Sequence, residues 1–210
     1  MIIDTIVVGP YATNTYIVGD ETSRQGMIID PGDEVDNIMA RVTAAGLNIK
    51  QLVLTHGHID HVGALKGIKD AAGAEMAIHS EDLSFLTGKG ARLISMLIAG
   101  LSYPKPPTPE RLLADGDTVT VDGLSFEIIH TPGHTRGGIC LFGEGVLFSG
   151  DTLFNGGIGR TDLPGGSYQQ ILESIRQRLM VLPDDTVVYP GHGPATTIGD
   201  ERRDNPFLKA

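Results

Sequence analysis

A chain of 210 residues with 40% hydrophobic content can bury a sizeable core, and it is read as one domain over residues 1–210. Its 26 acidic against 16 basic side chains leave a formal net charge of -10, which argues against bulk attraction to nucleic acid or to an anionic membrane, a local basic patch aside. The one cysteine, Cys140, forbids an internal disulfide, and nothing points to an oxidising compartment.

The start, Met1-Ile2-Ile3-Asp4, lacks the basic and apolar regions of a signal peptide, so a cytoplasmic protein is expected. β-branched runs at Ile2–Val8, Thr15–Val18 and Met27–Ile29 predict strands, broken by Gly9-Pro10 and by a polar turn over Gly19–Gln25. After Pro31-Gly32, Asp33 stands where a helix N-cap would. Val35, Ile38, Met39 and Val42 then recur at helical spacing from Glu34 to about Ala45, and Gly46 closes the helix. A strand over Lys50–Leu54, a helix from His61 to Ala72 closed by Gly73, and a strand over Glu75–Ile78 follow.

Helices are next expected over Asp82–Leu86 and Ala91–Leu101, joined by Gly88-Lys89-Gly90. The apolar patch Leu93–Leu101, interrupted by Ser95 and Gly100, is far too short to span a bilayer. The proline-rich stretch Tyr103–Pro109 can be neither regular helix nor central strand, and reads as a flap over a pocket or as a surface connection. Val119–Val121 and Leu124–Ile129 flank Asp122-Gly123, a two-residue hairpin signal, and Ile139–Phe142 and Val146–Phe148 form a similar pair. A helix from Tyr168 to Leu182, a strand over Val187–Tyr189 and a short helix from Ile198 to Arg203 complete the chain. Two β-rich halves packed together with helices outside are expected.

The chemistry concentrates in Thr55-His56-Gly57-His58-Ile59-Asp60-His61, directly after the apolar run Leu52-Val53-Leu54. His56 and His58, two apart, project to the same side of an extended segment, as ligands of one ion must. Asp60 and His61 follow as the chain turns into a helix and could serve a second ion. Imidazoles and carboxylates without thiolate suit zinc, iron or manganese. The same arrangement of apolar strand, glycine or proline turn, then His or Asp recurs at His134, at Asp151 and at His192. Loops leaving strand ends are where a rigid scaffold presents ligands.

Read together, THGHIDHVG, TPGHT, FSGDTLF and YPGHG resemble the metallo-β-lactamase superfamily of metallohydrolases over nearly the whole chain. The resemblance implies an αββα four-layer sandwich of two mixed β-sheets covered by helices, with a dinuclear metal site at one sheet edge. Carried over motif by motif, His56, His58 and His134 hold one metal; Asp60, His61 and His192 hold the other; Asp151 bridges. Two divalent ions are implied, zinc first, with iron or manganese as alternatives. A metal-bound hydroxide would act as nucleophile, with Asp60 as a guide for the transferred proton. No serine is assigned as nucleophile, because Ser149 lacks the elbow pattern.

His58 at the second position of HxHxDH favours the hydrolases of this fold over its diiron oxygen reductases, and length and charge speak against its nuclease branch. GRTDLPGG and the tail GHGPATTIGDERRDNPFL look closest to glyoxalase II-like hydroxyacylglutathione hydrolases, which cleave the thioester S-lactoylglutathione. Typical members add a C-terminal helical domain that contacts glutathione. This chain ends soon after Asn205-Pro206-Phe207-Leu208, so no separate domain of that kind is expected. Thioester or ester hydrolysis on a small molecule is then what the resemblance implies, and glutathione recognition stays open. The alternative on the same fold is a persulfide dioxygenase with one iron on His56, His134 and Asp151; a non-catalytic metal-binding module is a third reading.

Arg160 reads either as a contact to an anionic substrate or as the partner of Asp162 in a salt bridge that fixes its glycine-rich loop. Tyr168 reads as hydrophobic packing at a helix start, with substrate contact as the other reading. His130 and His79 are taken as structural, and Cys140 as a small buried hydrophobe. No oligomeric state is read from the sequence.

Overall fold

The β-branched runs near the N-terminus fold as an antiparallel meander of β1 (Ile2–Val8), β2 (Thr13–Gly19) and β3 (Gln25–Ile29). β1 coincides with the expected run, whereas β2 and β3 start earlier, because ladder pairing depends on backbone partners and not on side-chain type. The structure, a computed structural model, describes residues 1–88, 97, 100 and 102–209. Of the helix expected over Ala91–Leu101 and the Lys89-Gly90 step before it, all but Leu97 and Gly100 lies outside the described residues.

From β3 the chain passes through α1 (Val35–Ala44) to β4 (Asn48–Val53), which runs parallel to β3. The N-cap position belongs to Glu34, not Asp33: Glu34 takes the left-handed backbone (φ 60) and the Asp33 carboxylate accepts from its amide at 2.7 Å. The one helix expected from His61 to Ala72 is two, α2 (Ile59–Val62) and α3 (Leu65–Ala72). They separate because the Ala64 amide donates to the Pro31 carbonyl (3.0 Å) instead of along the helix. Next come β5 (Glu75–His79), a 3-10 turn (Ser80–Asp82), α4 (Leu83–Thr87) and β6 (Arg111–Leu113), a strand too short to show a period. Ahead of β6, the Tyr103 hydroxyl donates to Asp33 (2.5 Å) and its ring packs on the core, which anchors the proline-rich stretch.

The hairpins appear as expected, β7 (Thr118–Val121) with β8 (Leu124–His130) and β9 (Ile139–Gly143) with β10 (Val146–Gly150). A small ribbon, β11 (Leu153–Phe154) and β12 (Gly157–Ile158), precedes α5 (Tyr168–Ser174), whose N-terminus the Ser167 hydroxyl caps. The helix expected to reach Leu182 stops sooner. It continues as a π-helical turn over Ile175–Leu179, closed by the Met180 amide on the Ile175 carbonyl (2.9 Å). β13 (Val187–Pro190), β14 (Thr196–Thr197) and α6 (Ile198–Asp204) follow.

Two mixed six-stranded sheets result, ordered β1-β2-β3-β4-β5-β6 and β14-β13-β10-β9-β8-β7. Successive side chains leave a strand on opposite faces, and here both faces are covered. On β2 and β3, Tyr16, Val18, Met27 and Ile29 face Phe126, Ile128, Leu141 and Phe148 of the other sheet. Ile17 and Ile28 point the other way, onto Ile38, Val42, Leu65 and Ile68 of α1 and α3. On the far side, Cys140, Leu147 and Val188 pack against Ile171, Ile175, Leu179 and Ile198. Helix, sheet, sheet and helix therefore stack as the expected αββα sandwich. Among the described residues no helix is long and apolar enough to cross a membrane.

Candidate metal centre

The loops that leave β4, β8, β10 and β13 meet at one edge of the two sheets, and each delivers residues singled out by sequence. His56, His58 and His134 place one ring nitrogen each within 4.8 Å of one another, and so do the donor atoms of Asp60, His61 and His192. Asp151 stands between the two groups. Its Oδ1 is 3.5 Å from His61 Nε2, while its Oδ2 is 3.5 Å from His134 Nε2 and 3.6 Å from His192 Nε2. The chain must pass very close here: a Cβ on Gly191 would lie 2.1 Å from Asp151 Oδ1.

Backbone acceptors decide which ring nitrogens face inward. A carbonyl can only accept, so His134 donates Nδ1–H to Arg160 O (2.7 Å) and His192 donates Nδ1–H to Tyr11 O (3.1 Å), leaving both Nε2 lone pairs in the site. His61 donates Nδ1–H to Asp30 (2.9 Å). The Thr55 hydroxyl donates to the same Asp30 oxygen (2.6 Å) and can accept from His56 Nδ1 at 3.1 Å. Asp30, buried at 1% exposure, thus orients one histidine of each group. Sequence reasoning missed it, although it follows strand β3 ahead of Pro31-Gly32 in the same pattern that marked the other ligands. Asn14 was missed as well; its amide ties Pro190 O (2.9 Å) to Gly193 O (2.8 Å) around His192.

Two observations show that this donor set suits divalent cations. His56 Nε2 and Asp151 Oδ1 are buried without a hydrogen-bond partner among the described residues, a costly state that a bound cation relieves. Ring nitrogens also face one another, His58 Nδ1 to His134 Nε2 at 2.8 Å and His61 Nε2 to His192 Nε2 at 3.3 Å. Burial, reinforced by the neighbouring His134, pushes His58 down to about 3, and burial among the other imidazoles holds His56 well below its ordinary value. Both present free lone pairs at neutral pH. Burial also opposes charge on His61, but Asp151, Asp60 and Asp30 outweigh it and raise His61 to about 10. A proton on its Nε2 sits where a cation would. Burial acts against the charged form of Asp60 too, yet His61 and His192 hold its carboxyl well below the usual carboxylate range.

The remaining sequence candidates separate. Arg160 makes a bidentate pair with Asp162 (2.8 Å each), and both side chains are exposed. Tyr168 corrects its packing reading: it is 53% exposed, because α5 turns Ile171 and Ser174 inward and leaves its first residue outside. His130 ends β8, stacks on His79 (ring centroids 4.1 Å apart) and bonds to Arg136 O at 2.8 Å, which suits a structural role for both. Cys140 is fully buried, its thiol pushed up to about 11 by burial. Ser149 is buried as well, its hydroxyl spent on Leu153 O (2.8 Å).

The chain is similar to known proteins along nearly its whole length. The chain is 40% identical to the protein named hydroxyacylglutathione hydrolase GloC of Haemophilus influenzae over 213 residues, which cover 100% of this chain and 99% of that one. Among solved structures, TTHA1623 in a di-iron-bound form is similar at 39% identity and a TM-score of 0.87, covering 98% of this chain and 100% of the other. ETHE1 from Myxococcus xanthus is similar at 31% identity and a TM-score of 0.80, covering 98% of this chain and 84% of the other. The family model described as metallo-beta-lactamase superfamily matches residues 8–192, from the end of β1 to the last histidine of the centre, and the chain belongs to that superfamily.

Proposed function

We propose that this protein is a cytoplasmic metal-dependent hydrolase that cleaves a small-molecule thioester such as S-lactoylglutathione. The observation that carries the reading is the meeting of His56, His58, Asp60, His61, His134, Asp151 and His192 at one sheet edge, with ring lone pairs turned inward and an Asp151 oxygen left without a hydrogen bond among the described residues. Similarity to GloC along 99% of that protein's length supports the substrate class, and the relative bearing the name is matched almost end to end.

In this reading His56, His58 and His134 hold one ion, Asp60, His61 and His192 the other, and Asp151 both. Zinc is the first choice, and the di-iron form of TTHA1623 makes iron an acceptable occupant. Divalent ions bound by these residues would supply Lewis acidity toward a water and a carbonyl oxygen. The chain's own contribution is orientation. The carbonyls of Arg160 and Tyr11 and the carboxylate of Asp30 hold three imidazoles in one tautomer, so no ring reorganises during turnover. Asp60 can accept the proton of the attacking water for transfer to the leaving thiolate. Its low carboxyl pKa makes it a weak base, and holding a cation is its principal task. The overall step is thioester plus water giving carboxylic acid and thiol. In this reading the exposed Arg160 guanidinium, paired with Asp162 in the free protein, would exchange that partner for an anionic end of the substrate.

Metal-replete protein is expected to release free thiol from S-lactoylglutathione, and His56→Ala to abolish that release. Absence of thiol from the wild-type protein overturns the substrate reading. Oxygen uptake with glutathione persulfide on iron-loaded protein would instead favour a dioxygenase using His56, His134 and Asp151, a reading that the likeness to ETHE1 supports. Arg160→Ala should raise KM with little change in kcat, because it removes binding common to ground and transition states. Its unfolding midpoint should hardly move, since an exposed ion pair contributes little to stability. An unchanged KM removes Arg160 from the substrate site.

A further inference from the structure

Outside the ligand set, the 3-10 turn that follows β5 carries a fully buried carboxylate, Asp82. Its Oδ2 accepts the Gly57 amide at 2.9 Å and its Oδ1 accepts the Gly137 amide at 2.8 Å. Gly57 lies between His56 and His58 on the loop leaving β4 in the first sheet. Gly137 lies three residues beyond His134 on the loop leaving β8 in the second sheet.

The turn and α4 after it lie flush on the two loops. A Cβ on Gly57 would come within 2.6 Å of Phe85 Cβ, and a Cβ on Gly137 within 2.6 Å of the Asp82 amide nitrogen. The Phe85 ring meets the His58 ring edge-on, centroids 5.2 Å apart. The two loops are also linked by the Ile139 amide on the Thr55 carbonyl (2.9 Å). That bond lies at the base of the loops, whereas Asp82 acts beside the ligands themselves. A carboxylate suits this place because two N–H donors converge on it from opposite loops, and only a carboxylate offers an acceptor oxygen to each without turning a donor toward either.

We infer that Asp82 is a positioning residue that joins the His56-Gly57-His58 loop to the His134 loop and thereby sets the first cation site, whereas the Asp60, His61 and His192 site does not depend on it. The inference rests on the ligand assignment proposed above. Asparagine at position 82 keeps the shape but puts an amide N–H2 against one of the two backbone amides.

The test loads wild-type protein and Asp82→Asn with zinc and titrates each with a chromophoric chelator. Wild type is expected to yield two tight equivalents. In the variant one equivalent should bind roughly 10- to 100-fold more weakly, the usual range for loss of a group that orients ligands, while the other is retained. In cobalt-substituted protein, the shifted ring N–H signals of His56 and His134 should move, and those of His61 and His192 should not. Equal weakening of both equivalents overturns the inference. So do unchanged affinities with only a lower melting temperature of the metal-free protein, which would assign Asp82 to the fold alone. Should Asp82→Asn not fold, Asp82→Glu keeps the charge and both oxygens one methylene further out, and the same one-sided loss is expected of it. Wild-type protein that binds fewer than two equivalents overturns the ligand assignment and the inference with it.

Discussion

Replacing Asp151 by alanine is expected to abolish turnover and to remove tight binding of at least one metal ion. Asp151 faces both histidine groups from inside the site, with Oδ1 toward His61 and Oδ2 toward His134 and His192 at 3.5 to 3.6 Å. Loss of a group that merely orients a metal ligand costs about 10- to 100-fold in affinity or activity, so loss of a ligand shared by two ions should exceed ~100-fold in kcat/KM. The fold should survive, because Asp151 lies beyond the last residue of β10 and belongs to none of the three apolar clusters. Metal analysis after dialysis and circular dichroism of the same sample separate the two effects. Two tightly held ions and full activity in Asp151→Ala would sink the bridging assignment.

The second large effect is expected in the core. Phe148 is fully buried between the sheets, its ring 5.1 Å from Tyr16, 5.4 Å from Tyr189 and 5.9 Å from Phe126, centroid to centroid. Phe148→Ala removes a ring from the centre of this aromatic cluster, and the strands that frame it are held by ladders on both sides of β10, so the cavity cannot collapse freely. Such truncations cost about 3–5 kcal/mol, a large part of the 5–15 kcal/mol that a domain usually has in hand. Urea unfolding of the metal-free protein is the suitable measurement, since bound metal would add its own stabilisation. A loss under about 1 kcal/mol would show that Phe148 is not packed as described. Metal-replete Phe148→Ala should also lose some activity. Phe148 is three residues from Asp151, and the Tyr16 hydroxyl beside it holds the Pro190 carbonyl (2.5 Å) on the approach to His192.

How far the chain could be read without its structure follows from the range of each signal. Alternation and β-branching are local, so β1 and the Asp122-Gly123 hairpin agreed with expectation. Strands of two or three residues such as β6, β11, β12 and β14 have no period to detect, and they form because a neighbouring strand offers them partners. The break between α2 and α3 was hidden for a related reason. The Pro31 carbonyl that captures the Ala64 amide comes from another part of the chain. Tyr168 was misread because helix start and apolar ring are local facts, whereas the face turned inward is set by what α5 packs on.

The same division runs through the metal centre. By itself the sequence determined which side chains can bind a cation and that each follows a strand end, since ligand chemistry and turn residues are properties of short segments. Only the tertiary structure decided which strand ends meet. It brings His58 against His134 across 76 residues and His61 against His192 across 131. It also selected the residues that hold the ligands in place. Asp30 and Asp82 are ordinary acidic residues in sequence and become orienting groups only where packing excludes water and leaves their oxygens to amides, a hydroxyl and an imidazole. A buried carboxylate must have its lone pairs satisfied, and which donors satisfy it depends on how two sheets pack, a relation that no stretch of sequence contains.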